Sequence, residues 1–206
     1  MNLLEEFGPI DIYLFDQLLK GRITRDMHIL DAGSGSGRNL IYFLRNGYTV
    51  YAVDRSAEAI EEVRRLGSLL ASTWSHTQAR VEPVESMSFA AASFDFVMSN
   101  AVLHFAENER HFLQMLLELW RVLKPGGVLF IRLASSIGIE SSVKPVGNGR
   151  YVLPDGSTRF LVDEDMVMRL TEELKGSFVE PLKTVHVAGL RCMSNWCIRK
   201  QPDVSL

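Results

Sequence analysis

Cysteine is nearly absent: the 206 residues contain two, Cys192 and Cys197. Two thiols make no disulfide framework, and five residues apart on a strand they face opposite ways, so no bridge is expected. Without clustered histidines beside them they make a poor metal site, and no metal is expected. The other histidines, His28, His76, His111 and His186, show no ligand spacing and read as structural. Long apolar runs are missing too, since nothing approaches the roughly 20 residues that cross a bilayer. Met1 to Phe7 carries neither a basic stretch nor a sustained apolar run. A secretory signal is therefore not expected, and a cytoplasmic location is. Charge of one sign is also lacking. Interspersed, 22 Lys+Arg and 25 Asp+Glu give a net charge of −3 and no basic face for a polyanion. That disfavours a nucleic-acid partner. No repeat or linker divides the chain, which reads as one domain over 1–206.

What is present is concentrated in one stretch. His28-Ile29-Leu30-Asp31 is a short apolar run closing on an acid. Ala32-Gly33-Ser34-Gly35-Ser36-Gly37 follows, with glycine at every second position, and a helical stripe comes next. A second apolar run, Val50 to Val53, closes on Asp54. This is the start of a βαβ unit whose first turn lets a ligand approach the backbone, while the second acid can hold a ribose. A dinucleotide fingerprint, G-x-G-x-x-G/A, needs glycine or alanine where this chain has Arg38, so a nicotinamide oxidoreductase fits poorly.

The remaining elements alternate. Residues 1–26 suggest one or two short helices ahead of a first strand, Met27 to Asp31. Leu40, Ile41, Phe43 and Leu44 form a helical stripe ended by Asn46-Gly47, and Tyr48 to Asp54 is the second strand. Ser56 caps a helix with Ala59, Ile60, Val63 and Leu66 on one face, a Glu61–Arg65 pair, and Gly67 as its stop. Residues 68–78 fit no single element. Arg80 to Val84 and Phe94 to Ser99 read as strands, the latter apolar enough to be buried on both faces. Phe112, Met115, Leu116, Leu119 and Leu123 repeat at helical spacing until Lys124-Pro125-Gly126-Gly127 breaks the helix, and Val128 to Leu133 is the next strand. Asn148-Gly149 and Asp155-Gly156 mark turns in a segment, 135–160, too polar for a core element. Asp163 caps a last helix carrying Val167, Leu170 and Leu174. Phe178 to Lys200 holds two β-rich runs split at Ala188-Gly189, an antiparallel pair at the sheet edge. Strands alternating with helices give an α/β, doubly wound, mostly parallel sheet.

Four stretches together resemble a family. Leu30 to Gly37, Asp54, Ser93-Phe94-Asp95-Phe96-Val97 leading into Asn100-Ala101-Val102-Leu103-His104, and Leu123 to Val128 are similar to class I S-adenosylmethionine-dependent methyltransferases. Closest in kind is the small-molecule group that includes ubiquinone/menaquinone and tellurite-resistance methyltransferases. The resemblance implies a seven-stranded Rossmann-like sheet whose last two strands are the antiparallel pair. It implies S-adenosylmethionine as cofactor, with S-adenosylhomocysteine as product. Gly33, Ser34, Gly35, Gly37 and Asn39 would hold its methionine part above Asp31. Asp54 would accept the ribose hydroxyls, and Arg55 is either a cover for adenine or a solvated surface residue. Many relatives place an acid near the adenine amino group at the position aligned with Pro83; Val84 or Glu85 would contact the base instead. Asn100 to His104 would lie beside the departing methyl group.

The implied chemistry is an in-line displacement at the sulfonium methyl by a small-molecule acceptor. His104 is the candidate catalytic residue, either taking a proton from the acceptor near pH 7 or merely packing under its loop. The N-terminal helices and the 135–160 connection would form the acceptor side, with Tyr13, Arg132, Arg150, Tyr151 and Arg159 as candidate contacts. So many arginines suit an acidic acceptor or an ordinary surface equally well. A protein that binds the cofactor but has lost activity, or that acts only with a partner, shares all of these motifs. The acceptor's identity and the oligomeric state have no sequence signal.

Overall fold

Apolar runs that are hydrophobic at every position need cover on two sides, and the chain supplies it. The computed structural model describes residues 2–202. Five strands carry the parallel sheet: β1 (His28–Ala32), β2 (Thr49–Asp54), β3 (Ala79–Val81), β4 (Phe94–Asn100) and β5 (Leu123–Ala134). Three short antiparallel strands follow, β6 (Lys144–Gly147), β7 (Arg150–Val152) and β8 (Thr158–Phe160), and then β9 (Gly176–Phe178), β10 (Lys183–Val187) and β11 (Arg191–Lys200). The main sheet runs β10-β11-β5-β4-β1-β2-β3, parallel from β5 to β3 and antiparallel at β11 and β10.

Neighbouring residues on each strand feed opposite layers. Leu30, Val97 and Leu129 pack with the helices α5 (Glu109–Val122) and α6 (Glu164–Glu173). Ile29, Phe96 and Phe130 pack on the other face with α2 (Ile12–Leu19), α3 (Ile41–Arg45) and α4 (Ala57–Leu70). A short α1 (Leu3–Phe7) stacks its Phe7 on Tyr42 of α3, with ring centroids 5.0 Å apart. Asp11, Ser56, Asn108 and Asp163 each accept a backbone N–H at the start of their helices. Such caps contribute about 1 kcal/mol each. Both cysteines are free and buried. Among the described residues no helix is long and apolar enough to cross a membrane.

Several expectations need correction. Gly67 does not stop α4, which continues to Leu70. Its missing side chain instead makes room for the Trp74 indole, where a Cβ would lie 2.2 Å from Nε1. Glu61 pairs with Arg64 and Glu62 with Arg65, one residue short of the expected spacing. The third strand ends at Val81, leaving Val84 in the loop beyond it. The main sheet gains an eighth strand, β9, on β11, and the 135–160 connection folds into the separate β6-β7-β8 sheet. These strands are three or four residues long and partly exposed, too short to show a period.

Replacing a helical glycine by alanine normally stabilises by about 1 kcal/mol. At Gly67 the indole contact reverses the sign. Overpacking of this kind costs about 1–3 kcal/mol, so Gly67→Ala is expected to lower stability by about 1 kcal/mol in urea unfolding and to shift tryptophan emission. An unchanged or raised midpoint would show that Trp74 does not sit on that glycine.

Candidate functional site

The site is built where β1 hands over to its loop. Gly33, Gly35 and Gly37 have φ of +81°, +51° and +83°, which residues with a Cβ enter only at about 1–2 kcal/mol. The reversal points Gly33 N and Ser34 N at one carbonyl, Val53 O, at 2.8 and 3.0 Å. Gly35 N then donates to Asp54 Oδ2 at 2.9 Å, while Oδ1 accepts Ser56 N at 2.9 Å. The acid at the end of β2 is thus fixed by the loop it faces.

Above this loop lies a cavity of about 420 Å³. Gly33, Ser34, Gly35, Asn39, Asp54, Arg55, Val84, Glu85 and Asn100 line it, as do Pro83, expected near adenine, and Ala101 and Val102 of the Asn100–His104 segment; Ser36, Arg38, Phe105, His111 and Met115 join them without being expected there. Ser36 lies within the glycine motif and Arg38 beside it, a signal that the sequence carries. His111 and Met115 are carried in by α5, and nothing in their spacing announces it. Pro83 lines the wall while offering no donor, and His111 Nε2 stands 3.4 Å from Glu85 Oε1.

Two of the residues expected at the cofactor lie outside the lining. Gly37 faces α4, where a Cβ would meet Val63 Cγ2 at 3.1 Å, so it serves helix packing. Asp31 sits beneath the loop, 1% exposed, and neither carboxylate oxygen has a hydrogen-bond partner. Burial pushes its pKa up to about 7, with Arg38 pulling it down and Asp54 adding to the rise. Arg38 spans the opening: it donates to Asn100 Oδ1 at 3.2 Å and to Pro9 O at 3.4 Å. The Asn100 Nδ2 is buried without a partner. Asn39 Oδ1 accepts Asp11 N at 3.0 Å, tying the start of α2 to the loop.

His104 faces a second cavity, of about 250 Å³, which shares Ala101 with the first. Its Nδ1 accepts the Ala134 N–H at 3.1 Å. That bond fixes the neutral tautomer with its proton on Nε2, leaving a donor and no free lone pair. Burial, then the charges of Arg159 and Arg132, hold the ring's pKa down at about 4. The proton-accepting role therefore does not fit this geometry. Arg132 and Arg159 line the second cavity. Tyr13 lines neither but supports the Arg132 guanidinium, 5.3 Å from its ring centroid. Arg150 and Tyr151 sit on β7 and line neither cavity. Among the described residues no group of three or more His, Cys, Asp or Glu is gathered to hold a metal.

The methyltransferase domain family matches residues 30–131, the span from β1 to β5 that builds the first cavity. The chain belongs to the class I methyltransferases. A tRNA 5-carboxymethoxyuridine methyltransferase of Escherichia coli (strain K12) is 27% identical over 137 residues, 66% of this chain and 51% of that protein. A malonyl-[acyl-carrier protein] O-methyltransferase of Enterobacter lignolyticus is 37% identical over 105 residues, 51% of this chain and 38% of that one. The chain thus spans about half the length, or less, of these curated relatives. In fold, a SAM-dependent methyltransferase from Methanosarcina mazei superposes with a TM-score of 0.71 at 22% identity, covering 90% of this chain and 98% of that one.

The unpartnered Asp31 makes a testable demand on stability. Its folded pKa of about 7 lies above the ordinary 3.8, so the folded state holds a proton the unfolded state has released. Stability is then present at low pH and lost as pH rises from about 4 to about 7. Asp31→Asn removes this loss. Its advantage over the parent is expected to grow by about 2–3 kcal/mol between pH 5 and pH 8, at about 1.4 kcal/mol per pH unit. Denaturant unfolding at the two pH values checks this, and a constant difference would refute it.

Proposed function

We propose that the chain transfers the methyl group of S-adenosylmethionine to a small-molecule acceptor. The observation that carries this reading is the charge arrangement of the first cavity. An unpartnered carboxylate, Asp31, lies under the glycine loop, Arg38 and the free Asn100 amide sit at its edge, and Asp54 stands on the β2 side. An amino acid's ammonium and carboxylate are complementary to the first two groups, and a ribose diol to the third. The residues present therefore fit the cofactor. Asp54 would hold the hydroxyls, Asp31 would face the amino group, and Val84 and Pro83 would flank the base. Bound there, S-adenosylmethionine supplies a methyl group on a positively charged sulfur, already activated for displacement.

The protein's own contribution is alignment and exclusion of water. Ala101, Val102 and Phe105 give the cavity an apolar wall toward the second cavity, where the acceptor would enter. Holding two reactants in line converts a bimolecular step into an effectively unimolecular one, which can supply about 7–11 kcal/mol of the barrier. In this reading His104 donates its Nε2–H to the acceptor and orients it; it does not remove a proton. The net charge of −3 favours a small acceptor over a nucleic acid.

Titration calorimetry with S-adenosylmethionine, S-adenosylhomocysteine and NAD tests the cofactor. Micromolar binding of the first two and none of the third is expected. Asp54→Ala should weaken both by about ten- to a hundred-fold, the loss of one charge-assisted contact. A Cβ at Gly35 meets nothing within 4 Å, so Gly35→Ala should remain folded yet bind poorly, because that methyl group enters the open space a ligand would use. Binding of NAD alone, or unchanged affinity in both variants, would overturn the reading.

A further inference from the structure

We propose that the acceptor carries an anionic group, a carboxylate or a phosphate, held in the second cavity by Arg132 and Arg159. This rests on the reading above, in which the acceptor enters beside Ala101. Three guanidinium groups, Arg132, Arg159 and Arg191, line this cavity against one carboxylate, Asp155. Asp155 accepts Ser157 N at 2.9 Å and Ser157 Oγ at 2.6 Å on one oxygen, and its single charge leaves the three guanidinium groups in excess.

The arginines are placed by construction rather than left to solvent. Arg132 of β5 lies in register with Asn100 of β4 on one side and Asn195 of β11 on the other. Paired residues in adjacent strands share a face, so the three form one polar row across the sheet. Asn195 is 2% exposed and neither end of its amide has a partner; Arg132 Nε has no hydrogen-bond acceptor. Arg132 forms an ion pair through that Nε with Asp11 Oδ2 at 3.6 Å, too long for a hydrogen bond, and its remaining N–H groups reach the second cavity unopposed by any other carboxylate but Asp155. Arg132 rests over Tyr13, and Arg159 rests over Phe105 with its guanidinium carbon 4.8 Å from the ring centroid. Stacking fixes a guanidinium by its face and leaves its N–H edge for a planar anion. Buried polar groups left unpaired are costly, and the three guanidinium groups around this cavity repel one another. An anion there offsets that repulsion and gives Arg132 a hydrogen-bond partner. The Nε2–H of His104 is a further donor lining the same space.

Isothermal titration of the full chain, with and without saturating S-adenosylhomocysteine, provides the test. The probes are small aromatic and aliphatic carboxylates, the corresponding phosphates, and each carboxylate's neutral amide. Carboxylates or phosphates are expected to bind where the amides do not, and the two anion arms identify which group the site takes. Arg132→Met and Arg159→Met should each weaken the anion about tenfold or more, and Arg132→Lys, which keeps the charge, should recover part of the loss. Circular dichroism establishes that each variant is folded. Amides binding as well as their acids, no anion binding at all, or affinity unmoved in the folded variants would overturn the proposal. Failure of S-adenosylhomocysteine to bind would overturn the cofactor reading separately, since the anion titration is read in its absence as well.

Discussion

Two amides share one carbonyl. Gly33 N and Ser34 N both donate to Val53 O, and the remainder of the site follows from that convergence. It requires the chain to reverse at the end of β1 with a left-handed φ, and it brings the backbone so close to Val102 that a Cβ at Gly33 would lie 2.4 Å from Cγ2. Once the loop is tied to β2, Gly35 N reaches Asp54 and the acid at the strand end is fixed in direction. Arg38 is then set at the mouth against Asn100 of β4, and Asn39 anchors the N-terminal helix pair through Asp11. A cavity at the carboxyl ends of adjacent parallel strands is what an open α/β sheet offers by topology. The glycines decide that its floor folds back on β2 and holds Asp54 at its edge.

This half of the molecule was legible because its constraints are local. A glycine with positive φ, an acid closing an apolar run and a cap residue before a stripe each show within a few positions. Where reading failed, the deciding contact came from farther off. Gly67 reads as a helix stop because helices often end at glycine; the indole of Trp74 that requires it is invisible to periodicity. Strand β9 exists because Ile198, Arg199 and Lys200 leave an edge for Phe178, Ser177 and Gly176 to pair with. Three residues of that kind carry no pattern of their own. His104 was legible as a motif position but not as a donor, since the partner that fixes its tautomer is Ala134 N, 30 residues away at the end of β5.

The acceptor side was the least readable for the same reason, taken further. Arginines distributed along 132–191 look alike in sequence, and only the register of β11 against β5 distinguishes Arg132, half-buried between two asparagines, from Arg150 on the small β6-β7-β8 sheet. An antiparallel pairing between residues 132 and 195 is a property of the closed sheet. No stretch of chain encodes it.

The two cavities differ in charge. In the first, Asp54 and Glu85 are set against Arg38 and Arg55, with Asp31 beneath the loop; guanidinium groups dominate the second. Ala101, in the left-handed region at φ +63°, lines both, and Val102 and Phe105 add apolar lining to the first. In the proposed reaction positive charge at sulfur is consumed as the methyl group leaves, so a carboxylate against the sulfur would stabilise the starting state more than the transition state. Binding energy spent that way tightens the complex without speeding the step. The arrangement avoids this by placing its acids where the amino group and ribose would lie and its apolar residues where the two cavities meet. In the proposed reaction each reactant would thus be recognised by charges remote from the bond being made, and the apolar residues around Ala101 would be left to exclude water and set alignment.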